Sequence, residues 1–124
     1  MARGDEPEAR SIIDRVVEHF DTFADAYTFV IPQWAEDGGD LELVASRLTL
    51  QDRNRIKRVM DERGLFSGYA EIAVMKLRHK SDGAPAFTIA DKPRLMRRAD
   101  ARILQEIGDK LLYDPAGIES AEKN

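Results

Sequence analysis

The chain has no cysteine, which excludes disulfide scaffolds, thiol nucleophiles and cysteine-ligated zinc together and fits a reducing compartment. It has two histidines in 124 residues. His19 stands in Glu18-His19-Phe20-Asp21 and His79 follows Arg78, and neither has a histidine four positions away, as a helical metal site would require. Both read as solvated side chains. No glycine-rich phosphate loop with its lysine occurs, and Gly38-Gly39 lies between strand-like segments rather than before a helix. Asp37-Gly38-Gly39-Asp40 lacks the alternating ligands and closing glutamate of a calcium loop, so it reads as a turn. The carboxylates are many, but none sits in a context that names a reaction. A non-enzymatic protein with no cofactor and no metal is expected. No apolar run approaches the ~20 residues that span a bilayer. Nor does an apolar signal region follow Arg3 in Met1-Ala2-Arg3-Gly4-Asp5-Glu6-Pro7. A cytoplasmic protein with no membrane contact is the expectation.

What is abundant is charge: 34% of residues are Asp, Glu, Lys or Arg against 43% apolar, which predicts a modest core under a solvated surface. The charge is unevenly placed. Residues 1–42 hold 11 acidic and 3 basic side chains, net −8, leaving 12 acidic and 16 basic, net +4, in 43–124. An acidic surface meeting a basic one, within a molecule or head to tail between copies, accounts for this better than nucleic acid does, because the acidic third would weaken attraction to phosphate. A homo-oligomer is therefore a possible partner state.

Apolar residues at helical spacing, Ile12, Ile13, Val16, Val17, Phe20, Phe23 and Ala24, predict an amphipathic helix over 9–24. Tyr27 to Ile31 is β-branched and aromatic, Pro32 ends it, and Glu36 to Asp40 turns the chain toward Leu41-Glu42-Leu43-Val44. This predicts a hairpin near 27–44 with Phe29, Ile31, Leu41 and Leu43 on a face that must rest on helices or on another subunit. Thr49 with Asp52 three residues on predicts a capped helix with Leu50, Ile56, Val59 and Met60 as its stripe, stopped at Gly64. Ser67 is read as the cap of the next helix, which carries Tyr69, Ile72, Ala73, Val74, Met75 and Leu77 to the break at Ser81-Asp82-Gly83-Ala84-Pro85. A short helix near 91–98, limited by Pro93, and a last one near 100–112 with Ile103, Leu104, Ile107, Leu111 and Leu112 complete the chain. The fold class is mainly α with a small β-hairpin (α+β), a single compact helical domain of about five helices. It spans 9–113, between a flexible N-terminus at 1–8 and a polar tail at 114–124.

The basic stretches are Arg53, Arg55, Lys57 and Arg58 on one helix, then Lys92, Arg94, Arg97, Arg98 and Arg102. Residues 56–75 can be laid over a helix-turn-helix with Gly64 at the turn, making a small helical DNA-binding regulator the alternative reading. The fit is partial, since Met60 replaces a small residue, Arg63 an apolar one, and the basic residues fall at the C-terminal end of the would-be recognition helix. Nucleic acid is thus the weaker partner class. The protein-contact candidates are Phe29, Ile31, Trp34 and Leu43 of the hairpin region with Arg53, Arg55 and Arg58 of the following helix. Trp34, the single tryptophan, reads equally as a cap over the core and as a contact buried on association.

Three segments in order resemble the tail assembly chaperones of long-tailed bacteriophages and prophages. Val30-Ile31-Pro32-Gln33-Trp34 is similar to the family's Val-x-Val-Pro-Glu-Trp strand end, with Gln33 in place of the usual glutamate. Arg47-Leu48-Thr49 leading into Gln51-Asp52-Arg53 resembles its Arg-x-Leu-Thr and acidic-Arg pattern, without the intervening residue. Asp82-Gly83-Ala84-Pro85-Ala86-Phe87-Thr88, with Asp91, resembles its Asp-Gly-x-Pro-x-Phe-Thr-x-x-Asp turn. The turn at 36–40 and Pro93 depart from the pattern. The resemblance covers about 27–112. It implies a helical domain that binds the tape measure protein and keeps it soluble until the tail-tube protein polymerises around it, in the host cytoplasm and outside the mature virion.

Overall fold

The computed structural model describes residues 11–36 and 39–114. The expected N-terminal segment at 1–8, the tail beyond Asp114, and Asp37 and Gly38 of the turn lie outside the described residues. Five α-helices are present among those described: α1 Ile12–Asp21, α2 Leu50–Arg63, α3 Leu65–Lys76, α4 Lys92–Arg98 and α5 Ala101–Tyr113. Three short strands join them, β1 Tyr27–Val30, β2 Glu42–Ala45 and β3 Arg78–His79, in the order β1-β2-β3. The mainly helical α+β class is as expected.

α3 is the centre of the molecule. Its residues Ser67 to Ala73 are all buried, the pattern of a helix enclosed on every side rather than resting on one face. Small residues let its neighbours approach. A Cβ on Gly68 would stand 2.3 Å from Met60 Cγ of α2, and one on Gly108 of α5 would stand 2.2 Å from Tyr69 Cδ1. Around α3 gather Ile56 from α2, Leu95 from α4, Leu104, Ile107 and Leu111 from α5, and Ile31, Leu43 and Ala45 from the sheet. The Tyr69 hydroxyl donates to Asp109, and burial together with this carboxylate pushes the phenol up to about 12.

The caps explain where the helices begin. Ser11 accepts from the Asp14 N–H to start α1, and Thr49 and Asp52 form a reciprocal capping box on α2. Ser67 is not the cap of α3. Gly64, at φ 104°, reverses the chain so sharply that α3 starts at once at Leu65, carrying Ser67 into the buried first turn. Leu50 is exposed rather than part of the packed stripe. At ~100° per residue it lies about 120° around α2 from the buried Ile56.

The hairpin gains a third strand. β1 and β2 pair antiparallel with Phe29 opposite Leu43, and β2 pairs in turn with β3, Leu43 opposite His79. Residues 78 and 79, expected to close a helix, instead cover the otherwise open edge of β2. Gly83 at φ 77° and the Asp82 carboxylate, which accepts from the Ala84 N–H, then turn the chain back so that Ala86 N–H reaches the Leu77 carbonyl.

α1 alone lacks a covered face. It buries none of its residues, and Ile12, Ile13, Val16 and Val17 remain 54–70% exposed.

The α3–α5 contact yields a first prediction. Gly108→Ala should drive a methyl into the Tyr69 ring and cost about 1–3 kcal/mol, read as a lower urea midpoint at unchanged slope. Wild-type stability in this variant would contradict the close approach.

Candidate protein-binding surfaces

Two concavities flank α4. The first is a cleft of about 480 Å³ floored by Leu43 and Leu95 and walled by Trp34, Leu41 and Phe87. Trp34 ends the short 3-10 turn Pro32–Trp34 that follows β1, and its ring meets Phe87 edge-on, with centroids 5.9 Å apart and planes at 87°. Phe87 is presented by the returning turn, and the next residue opens a capping box in which the Thr88 N–H donates to Asp91 at 2.9 Å. Asp91 also lines the cleft, as do Arg94 and Arg98. These two arginines are exposed. An apolar cleft between aromatic rings, with guanidinium groups at its edge, suits an apolar side chain flanked by a carboxylate.

The second is a broader groove of about 920 Å³ between α2, α3 and α4. At its base lies Glu71, whose side chain is only 5% exposed in the middle of the enclosed α3. It accepts from Arg55 Nε at 2.7 Å and Lys92 Nζ at 2.8 Å. Burial on its own would raise this carboxyl, but the hydrogen bonds and positive charges of Lys92 and Arg55 outweigh it and hold it below the usual range. Asp52 behaves alike. Burial opposes its ionisation, while the Thr49 backbone N–H and Lys76 at 3.0 Å overcome that and lower it. Val59, Ile89 and Met96 give the groove an apolar lip, with Arg58 and Arg63 beside them.

The residues expected to contact a partner divide accordingly. Ile31 and Leu43 are 5% and 1% exposed. They hold the sheet to the helices, and what remains accessible of Leu43 is part of the floor of the cleft. Phe29 is half-buried and packs against the same core. Trp34 is half-buried and shapes the cleft. Arg53 donates to the Leu112 carbonyl at 3.2 Å, satisfying one of the unpaired acceptors at the end of α5. Arg55 holds Glu71. Arg58 is exposed in the groove. Phe87, Arg94 and Arg98 belong with Trp34 although they were not singled out for contact. The signal for Glu71 was present, as a lone acid inside the apolar run of α3.

α2 and α3 do meet around Gly64 as the helix-turn-helix overlay supposed. The second helix is enclosed, however, and a buried α3 has no free face to lay in a DNA groove. His19 is exposed against Phe23 with ring centroids 5.1 Å apart, and His79 lines the cleft. Among the described residues no three His, Asp or Glu side chains are grouped as a metal ion would need, and no helix is long and apolar enough to cross a membrane. Protein-family models, curated proteins and solved structures were compared with the chain, and none matches it.

The charge cluster yields a prediction with a defined sign. Glu71 and Asp52 have folded-state values below their ordinary 4.5 and 3.8. The stability they contribute is present above those ordinary values and is lost as pH falls through the lower folded ones. Glu71→Gln should cost about 1–3 kcal/mol at neutral pH and flatten the loss of stability on acidification. An unchanged acid limb in urea titrations would contradict the role given to Glu71.

Proposed function

We propose that this chain is a tail assembly chaperone of a long-tailed phage or prophage, which holds the tape measure protein in soluble form and releases it as the tail-tube protein assembles around it. The observation that supports this reading is the meeting of two of the resembling segments in one place. Trp34 ends the first segment and Phe87 lies in the third, and together they wall one apolar cleft. Each segment on its own is explicable as a strand end or a turn. Their convergence on a contact surface is what a shared binding role would require.

The chemistry follows from the size of the cleft. It takes one or two apolar side chains from one face of an amphipathic helix, with an acidic neighbour reaching Arg94 or Arg98. Two leucine-sized side chains buried there contribute about 3–6 kcal/mol, against an association cost of roughly 4–15 kcal/mol. A single cleft therefore holds weakly. A long helical client with repeated apolar faces is held by many copies at once, and each copy yields when a tube subunit offers a larger interface. Charge at the rim sets the sense of the contact more than its strength.

Co-expression tests the proposal. The soluble yield of the tape measure protein encoded beside this chain should rise in its presence, and should fall back with Arg94→Glu/Arg98→Glu, which alters the rim at exposed positions, and with Phe87→Ala. A client equally insoluble with and without the wild-type chain would dismiss the assignment.

A further inference from the structure

The first helix and the α2/α3/α4 groove have complementary needs, and every copy of the chain carries both. α1 presents an uncovered stripe of Ile12, Ile13, Val16 and Val17. Beside it run Asp14, Glu18 and Asp21, against Arg15 and His19 of this helix. The groove presents the reverse: an apolar lip of Val59, Ile89 and Met96, with Ile89 and Met96 65% and 47% exposed, set among Arg55, Arg58, Arg63 and Lys92 against Glu62 and the already neutralised Glu71. Arg58 and Arg63 make no ion pair among the described residues.

The helix does not lie in the groove of its own chain, and its root shows what holds it off. The Arg47 guanidinium stacks over the Phe23 ring at 3.7 Å. Arg78 donates to the Ala24 carbonyl and to the Asp25 carboxylate. These contacts fasten the residues just after α1 to the body, and the helix projects from them with its apolar side uncovered.

We infer that α1 of one copy seats in the α2/α3/α4 groove of a second copy. Its aliphatic stripe meets Val59, Ile89 and Met96, and its carboxylates face Arg58 and Arg63. The contact is heterologous, since the surface given differs from the surface used. It does not involve the Trp34 cleft, so it stands whether or not the chain is a chaperone. Asp14, Glu18 and Asp21 are the part of the acidic first third that enters this joint, while Asp25 and Glu42 pair within the chain with Arg78 and Lys80. Charge steers the encounter and the aliphatic contact retains it.

Two variants that break opposite halves test this with the full chain. Val16→Asp/Val17→Asp spoils α1 and leaves the groove, and Arg58→Glu/Met96→Glu spoils the groove and leaves α1, with folding of each checked by circular dichroism. Sedimentation velocity of the wild type should show mass rising with concentration and falling with added salt. Each variant alone should lose this association and stay monomeric. An equimolar mixture of the two should form a one-to-one dimer that grows no further, because one supplies an intact groove and the other an intact helix. A wild type that is monomeric throughout, a variant that associates like the wild type, or a mixture that stays monomeric while the wild type associates would each overturn the inference.

Discussion

A carboxylate in the middle of an enclosed helix must be neutralised where it stands, and Glu71 sets that condition for the rest of the molecule. The middle of α3, Ser67 to Ala73, is buried, so the carboxylate is shielded from most water at the base of the groove, and leaving it unpaired would cost several kcal/mol. Arg55 comes to it from α2 and Lys92 from the first turn of α4. Those two ion pairs fix how α2 and α4 sit about the central helix. A buried pair of this kind adds little net stability, because desolvation cancels most of the attraction, but it distinguishes one arrangement of helices from its neighbours. Both concavities inherit their form from it. The groove is the space between the helices that Glu71 ties together, and the cleft is the far side of the α4 so placed, where Leu95 faces the core and Arg94 and Arg98 face outward.

The remaining apolar surface is divided by the same economy of core. The described body uses the hairpin's inner face, one side of α5 and the stretch Ser67 to Ala73 of α3, and nothing is left to cover α1. An amphipathic helix of ten residues is too short to be stable in water by propensity alone. Its Ser11 cap and its root under Arg47 and beside Arg78 support it, but its aliphatic stripe still calls for a partner. The proposed chaperone role, which works by reversible contact, favours apolar surface divided into small, separate parts. Two modest surfaces rimmed with charge stay soluble where one large patch would aggregate.

Most local rules are legible in the sequence. The Thr49–Asp52 box, the stop at Gly64, the Thr88–Asp91 signal and the stripe of α5 all depend on residues within one or two turns of each other, and each stands where its spacing put it. Distance along the chain erased the rest. The two-residue β3 carries no alternating pattern, and only the open edge of β2 called for it. Ser67 looks like a cap because serine is a favoured N-cap residue. Here the left-handed turn at Gly64 was tighter than the reading allowed. A two-stranded hairpin leaves an apolar face that must rest on helices or on another subunit, and nothing in the spacing says that Ile31 and Leu43 are covered by the chain's own helices. The cleft shows the same limit. Trp34 and Phe87 were each conspicuous, but their edge-to-face contact follows from the sheet and the returning turn, not from any spacing.

Trp34 also offers the most direct test of the chaperone proposal, since it is the only tryptophan and stands half-buried at the cleft itself. Purified protein can be titrated with a soluble, tryptophan-free helical segment of the tape measure protein while Trp34 emission is followed. Occupation of the cleft predicts a saturable blue shift that is absent in Arg94→Glu/Arg98→Glu. An emission spectrum that stays unchanged while the segment binds elsewhere, or a segment that does not bind, would contradict it.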